Sequence, residues 1–291
     1  MWVYLNQKWQ DSEEARISLW DRGFLFGESV YESLRTYDGK PFAVDRHYHR
    51  LCYSAGVLGI PVPVSLDSLR TVIEEGVYRN NLPEANIRIQ LSAGQGHYQM
   101  REEGLTPMIV IVFKPLEPKD PLIETNGVQV ALSRIRRYVP VEHGAAVKLS
   151  GASDIIIARR EIHPPFYDRL MLNHQGHVAE GTFSNVFFVK NQVVLTPSIH
   201  SGILSGITRE IVIDFARELG VPVEERFIEL IELFDADELF LTHTSAEIVP
   251  ISAIQGIPKS IGPITQELMR GFRAYVINQQ EGVDNHGYNS G

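Results

Sequence analysis

The 291-residue sequence predicts two structural units, an α+β unit over residues 1–114 and a unit of interleaved strands and helices, α/β in character, over residues 128–291. Three observations carry this prediction. In the first half, strand-like segments and amphipathic helices are grouped rather than alternating. In the second half, apolar runs of strand length are interleaved with helix-length runs. Between them, Lys114 to Gly127 sets Pro115, Pro118 and Pro121 among charged residues, a composition suited to a surface connection, so residues 115–127 read as an interdomain linker.

In the first unit, strands are expected over residues 29–37 and 41–44, joined by Asp38-Gly39. Such a pair accepts the left-handed backbone that a two-residue hairpin turn demands. Asp45 can cap a helix with Tyr48, Leu51, Cys52, Ala55 and Leu58 on one face, and Gly59-Ile60-Pro61 stops it. A second helix over residues 65–78 carries Leu66, Leu69, Val72, Ile73 and Val77 at helical spacing. Strands follow over residues 86–93 and 108–113.

The second unit reads as a strand (128–133), a helix (152–162) and strands at 169–172, 185–189 and 193–196, the last two joined by a turn at Asn191-Gln192. A helix from Thr208 to Leu219 ends at Gly220, the residue that most readily closes a helix in the left-handed region. A short strand near Val223, a strand over 238–242 and a helix over 263–277 complete the unit. From about residue 279 the chain is a polar tail.

Composition narrows the function. The net charge of -9 argues against a nucleic-acid partner, because phosphate backbones are held by clustered Lys and Arg. Cys52 is the single cysteine, so no intrachain disulfide is possible and a reducing compartment is the simpler assumption. No segment approaches the roughly 20 apolar residues that span a bilayer. A cytoplasmic, metabolite-handling protein is the expectation, with no membrane partner.

The chemistry concentrates in two stretches. Glu180 stands at the mouth of an apolar strand, in Val178-Ala-Glu-Gly-Thr-Phe-Ser-Asn-Val-Phe187, where a carboxylate is costly unless something compensates it. Ser184 and Asn185 can orient it. Gly206-Ile207-Thr208 opens a helix whose first N–H groups lack partners and attract anions. A carboxylate for a cationic ring and a cup for a phosphate match the two ends of pyridoxal phosphate. That cofactor also needs a lysine to form an imine. Of seven lysines, Lys148 alone sits among small apolar residues, Gly144-Ala-Ala-Val147, ahead of a helix. Arg50 offers a fixed cation, and Thr244-Ser245 a hydroxyl pair at a strand end. Taken one at a time these residues leave plainer readings open: a solvated lysine, a turn carboxylate, an ordinary helix cap and a solvent-facing arginine. His47 and His49, two apart on a helix, point to different faces and make no metal site.

Together and in this order the residues resemble the fold type IV pyridoxal-phosphate enzymes, namely branched-chain aminotransferases, D-amino-acid aminotransferases and aminodeoxychorismate lyases. Asp21-Arg-Gly-Phe-Leu-Phe-Gly27 with Val30-Tyr-Glu32 is similar to the family's N-terminal signature, and His47-Tyr-His-Arg-Leu51 to its phosphate-arginine helix. The resemblance implies a small N-terminal α+β domain, a larger pseudo-barrel C-terminal domain and a homodimer. It makes Lys148 the imine lysine and general base, and Glu180 the ring-nitrogen acid supported by Ser184 and Asn185. Arg50, Gly206, Ile207, Thr208 and Thr244 become the phosphate site. Tyr31, Arg88 and Ser245 are expected at the substrate, Tyr31 and Arg88 on its carboxylate, with a structural ion pair the alternative for Arg88.

The implied reaction moves an amino group between an amino acid and a 2-oxo acid such as 2-oxoglutarate, with branched-chain L-amino acids first and D-amino acids next. Ser153 stands where branched-chain enzymes carry a tyrosine, and Ala93-Gly-Gln95 where D-specific enzymes carry an Arg-x-His pair. A lyase of the aminodeoxychorismate type, releasing pyruvate, is the alternative, though Glu180 to Asn185 resembles the transaminases more closely. A binding protein that keeps the anion loop without imine chemistry is the third reading.

Overall fold

The computed structural model describes residues 1–96, 104, 106–139 and 146–281. Its first sheet is antiparallel and six-stranded: β1 (Trp2–Leu5), β2 (Lys8–Asp11), β3 (Ser29–Tyr37), β4 (Lys40–Pro41), β5 (Ala85–Ser92) and β6 (Met108–Pro115), in the order β2-β1-β6-β5-β3-β4. A short helix, α1 (Arg22–Phe26), precedes β3, capped by Asp21, whose side chain accepts from Phe24 N–H. Alternation divides the sheet cleanly. Val30, Leu34, Ile87, Ile89 and Leu91 face α2 (Val44–Val57) and α3 (Leu66–Asn80), burying against Leu51, Ala55, Leu69 and Ile73. Tyr31, Ser33 and Asn86 point the other way, into a cavity between the two sheets.

After β6 the chain passes through α4 (Leu122–Asn126) into a second, mixed sheet. Its nine strands are β7 (Val128–Leu132), β8 (Phe166–Leu172), β9 (Val178–Gly181), β10 (Asn185–Lys190), β11 (Val193–Pro197), β12 (Val223–Arg226), β13 (Glu238–His243), β14 (Glu247–Ile254) and β15 (Ile257–Pro258). They run β12-β11-β10-β13-β14-β7-β8-β9, with β15 on β14. The sheet curls until β9 again touches β10 and β11, enclosing Leu170, Val186, Phe188, Leu239, Leu241, Val249 and Ile251. On the other face lie α6 (Ile207–Glu218) and α8 (Pro263–Glu281), packed on Phe187, Val189, Phe240 and Ile248. Both faces of β10 and β13 are thus covered, so they read as unbroken apolar runs. Two short helices, α5 (Ser153–Arg159) and α7 (Leu230–Asp235), fill the connections.

The hairpin turns follow their chemistry: Asp38 and Gly39 have φ of 48° and 78°, Asn191 and Gln192 of 50° and 66°. Elsewhere the structure departs from expectation for identifiable reasons. The strand expected over 41–44 stops at Pro41, because Ala43 turns left-handed at φ 53° and Val44 already begins α2, placing Asp45 inside the first turn rather than at the cap. The helix expected over 152–162 is shorter, as α5, and lacks a side-chain cap. β1 and β2 join through Asn6-Gln7, a turn without glycine, and β9 has four residues, so neither carries a strong local signal. Pro250 masks β14, since a proline argues against an inner strand. The expected tail from 279 begins within α8, and its part from 282 onward lies outside the described residues.

Candidate active site

A cavity of about 500 Å³ opens between the two sheets. Tyr31 of β3 and Arg50 of α2 enter it from the first sheet, and Lys148 from the segment before α5. Glu180, Ser184 and Asn185 come from the β9–β10 corner, Gly206, Ile207 and Thr208 from the start of α6, and Thr244 and Ser245 from the β13–β14 turn. The structure therefore brings together every site residue expected from the sequence except Arg88. That side chain is exposed on β5, donates to Gln90 Oε1 at 3.2 and 3.0 Å, and lies 3.9 Å from the Tyr31 ring centroid.

Lys148 is held by backbone. β4 covers only the far end of β3, leaving an open edge at Ser29 to Tyr31. Residues 148–150 fill that edge: Tyr31 N–H donates to Lys148 C=O at 3.1 Å and Ser150 N–H to Ser29 C=O at 3.0 Å. The side chain is enclosed by protein with its tip open to the cavity, and Nζ lies 4.7 Å from the Tyr31 ring centroid. Burial and the neighbouring Arg50 guanidinium hold the amine below the ordinary lysine range, which favours the neutral, nucleophilic form. Burial raises the Tyr31 phenol, but Lys148, Arg159 and Arg88 outweigh it and leave the group below its usual value.

Glu180 is the next-to-last residue of β9 and is 4% exposed. It accepts from Arg137 Nε at 2.8 Å, Leu204 N–H at 2.9 Å and Asn185 Nδ2 at 3.3 Å. Arg137 in turn donates to Asp154 at 2.6 Å. The expected role of Ser184 is corrected here. Its hydroxyl donates to Asp168 at 2.6 Å, not to Glu180. Asp168 is fully buried and also accepts from Thr182 N–H and Oγ1, so it fixes the tight corner that aims Glu180. Gly181 is required there, since a Cβ would collide with Asp168 and Ser184.

The segment expected to hold an anion lies at the start of α6. Gly206 is its N-cap and supplies no side-chain cap, so the leading N–H groups stay available, with the helix dipole favouring negative charge. A Cβ on Gly206 would collide with the Asn185 amide oxygen. Arg50 donates to Ser205 C=O at 2.7 Å and is locked from behind by Glu32, which accepts from its Nε and Nη2 at 2.8 and 2.7 Å. His47 completes that network, Nδ1 lying 2.8 Å from Glu32. Thr242, 1% exposed, lines the cavity beside Asn185, its cross-strand partner, and its Oγ1 has no partner within the protein.

Sequence reasoning missed Arg137, Asp168, Thr242 and His243, and gave Glu32 and Arg159 no role of their own. Arg137 and Glu180 are 43 residues apart, with no local pattern linking them. Ser153, the departure that stood out, is exposed and does not line the cavity, whereas Arg159 does. Among the described residues, no group of three or more His, Cys, Asp or Glu is placed to hold a metal, and no helix is long and apolar enough to cross a membrane.

These features fit pyridoxal phosphate: an enclosed lysine, a buried carboxylate, uncapped helix N–H groups, and a buried hydroxyl left waiting for a partner. Comparison with known proteins agrees. The Amino-transferase class IV family model matches residues 29–254. A probable branched-chain-amino-acid aminotransferase of Thermotoga maritima is 42% identical over 256 residues, 87% of this chain and 88% of its own. The structure of a branched-chain aminotransferase from Thermoproteus uzoniensis with norvaline superposes with a TM-score of 0.88 at 32% identity, covering 97% of this chain and 96% of that one. The structure of a T.th. branched-chain amino acid aminotransferase with pyridoxamine 5'-phosphate gives a TM-score of 0.86 at 27% identity, covering 97% and 94%. The chain belongs to the class IV aminotransferases, with the fold type IV architecture and pyridoxal phosphate as its cofactor.

Proposed function

We propose that this aminotransferase moves the amino group of a branched-chain L-amino acid to a 2-oxo acid such as 2-oxoglutarate, with Lys148 as its catalytic residue. The convergence of Lys148, Glu180 and the α6 cup in one cavity carries the assignment of the residues. The substrate class rests on the relatives named for branched-chain substrates, D-amino acids being the next class to test. Transfer is better supported than a lyase reaction, because the matching family and those relatives are transaminases.

When bound, the cofactor supplies an electron sink for the substrate's Cα. Glu180, kept in place by Arg137, Asn185 and Leu204, holds the ring nitrogen's proton. Arg50, Gly206, Ile207, Thr208 and Thr244 hold the phosphate. Lys148, its pKa lowered by burial and by Arg50, would take the proton from Cα and return it two atoms away, to the cofactor carbon on the far side of the amino nitrogen. Tyr31 and Ser245, which line the cavity, meet the substrate, while Arg88 lies outside it and backs the Tyr31 ring at 3.9 Å from the centroid. The two sheets serve as two domains, joined by residues 115–127.

A homodimer is part of this reading. Leu19, Trp20 and Phe24 are 74%, 65% and 62% exposed, an apolar strip of the kind that marks an interface. The cytoplasm is the proposed compartment, in keeping with a single free cysteine.

Purified protein incubated with 2-oxoglutarate and a panel of L- and D-amino acids tests the substrate. Transfer from leucine, isoleucine and valine is expected; transfer only from D-amino acids would overturn the assignment. Borohydride reduction and peptide mapping should find the cofactor on Lys148, and a label on any other lysine would refute that role.

A further inference from the structure

His243 ends β13 and lines the cavity, yet none of the roles above uses it. Its ring is boxed by Phe183, edge-on at 5.3 Å, and by Tyr167 at 6.0 Å. Both nitrogens are engaged. Nε2 lies 2.9 Å from the Tyr167 hydroxyl, and Nδ1 lies 3.1 Å from Ser245 Oγ. Burial, reinforced by the charge of Lys119, pushes the pKa of His243 down to about 4, so the ring is neutral near pH 7.

A neutral imidazole has one N–H and one lone pair, so its two hydrogen bonds run in a single direction across the ring. Tyr167 sets that direction. Burial and the nearby Asp168 push its phenol up to about 12, so it keeps its proton, and a phenol donates to an imidazole lone pair more strongly than it accepts from an imidazole N–H. Nε2 therefore accepts from Tyr167, the ring proton sits on Nδ1, and Nδ1 donates to Ser245 Oγ. Accepting from Nδ1 with one of its two lone pairs, the Ser245 hydroxyl keeps its own proton to donate toward the cavity it lines. In the opposite tautomer Ser245 would donate to His243 and show a ligand only lone pairs, which repel a carboxylate.

We propose that Tyr167 and His243 are positioning residues that hold the Ser245 hydroxyl as a hydrogen-bond donor to the carboxylate shared by amino-acid and 2-oxo-acid substrates. This rests on the proposed placement of Ser245 at the substrate. It goes further in giving that serine a fixed polarity, set from outside the contact itself.

Steady-state kinetics of the holoenzymes test it, using whichever amino acid the wild type accepts, with 2-oxoglutarate as partner. Tyr167→Phe keeps the ring and removes the O–H that selects the tautomer. It should raise KM for both substrates together by about three- to tenfold, the loss of one hydrogen bond, while kcat changes less than twofold. Ser245→Ala should match it, and the double variant should be no worse than Ser245→Ala alone, because the residues act in series. The rise should be equal for alanine, norvaline and leucine wherever the wild type turns them over, since the carboxylate is common to them. Unchanged KM in either variant overturns the proposal. So do additive losses in the double variant, or a rise that depends on side-chain length. A wrong substrate class shows separately, in the wild type alone, as no transfer from branched-chain donors.

Discussion

Glu32 and Arg50 are joined by two hydrogen bonds of 2.8 and 2.7 Å in the core of the first sheet, and Glu32 has no exposed surface. A carboxylate on the apolar face of β3 is thereby turned into the support of an arginine that lines the cavity. Burial opposes its charge, but Arg50 and His47 prevail and hold its carboxyl well below the usual range. Replacing Glu32 with Gln leaves a buried guanidinium uncompensated, which should cost about 3–5 kcal/mol in urea unfolding. Because the folded-state pKa is the lower one, the pairing adds stability above the unfolded carboxyl value of about 4.3 and loses it as pH falls further. The variant should therefore lose part of the wild type's acid-side decline. An unfolding free energy within 1 kcal/mol of wild type would contradict the pairing's importance.

Lys148 carries the opposite sign. Its amine is depressed by burial and by Arg50, so between its folded value and the ordinary lysine value the unfolded chain binds more protons. Stability of the cofactor-free protein should rise with pH through that window. Lys148→Ala should flatten the rise and leave the apo-protein as stable as wild type or more so, while activity falls at least about 10³-fold. A clear loss of apo stability would show that the lysine is structural.

Thr242 offers a test free of charge effects. Thr242→Val keeps the shape and removes a buried hydroxyl with no internal partner, so the apo-protein should hold or gain stability. Affinity for pyridoxal phosphate should fall about three- to tenfold by equilibrium titration. Unchanged affinity would mean that the hydroxyl does not meet the cofactor.

Arg137 lies between two carboxylates, 2.8 Å from Glu180 and 2.6 Å from Asp154. Burial disfavours its charge, yet Glu180 and Asp154 more than restore it. Arg137→Met strands both acids, so unfolding free energy should drop by about 3–5 kcal/mol and cofactor binding should weaken with it. A variant that binds cofactor like wild type would show that Glu180 needs no support from this side.

Local chemistry offered Lys148, Glu180 and the start of a helix at Gly206 to Thr208 as candidates, each with a plainer reading open. It was their order along the chain, through the resemblance to the fold type IV enzymes, that joined them into the set now found around one cavity. What stayed hidden was long-range. Arg137 meets Glu180 only because β9 curls back toward it, and Asp168 reaches the Thr182–Ser184 corner across the β8–β9 pairing. Ser184 illustrates the limit: the motif put it beside Glu180 but could not say that its hydroxyl would serve Asp168 instead. In the fold, long periodic helices such as α3 and α6 were readable, whereas four-residue β9 and proline-bearing β14 had no pattern of their own.

The docking of residues 148–150 on the open edge of β3 ties the lysine's position to the first sheet, while Glu180 and the α6 helix start belong to the second. Severed between the sheets, a piece comprising residues 1–115 would keep Arg50 but lack Lys148, and a piece comprising residues 128–281 would keep Lys148, with Ala146 N–H still on Ile203 C=O, but without the β3 edge that takes up residues 148–150. Cofactor capture thus reports on the union of the halves. The ligand is a fastener between them, and recombined fragments would be scored by the return of a colour rather than of a fold.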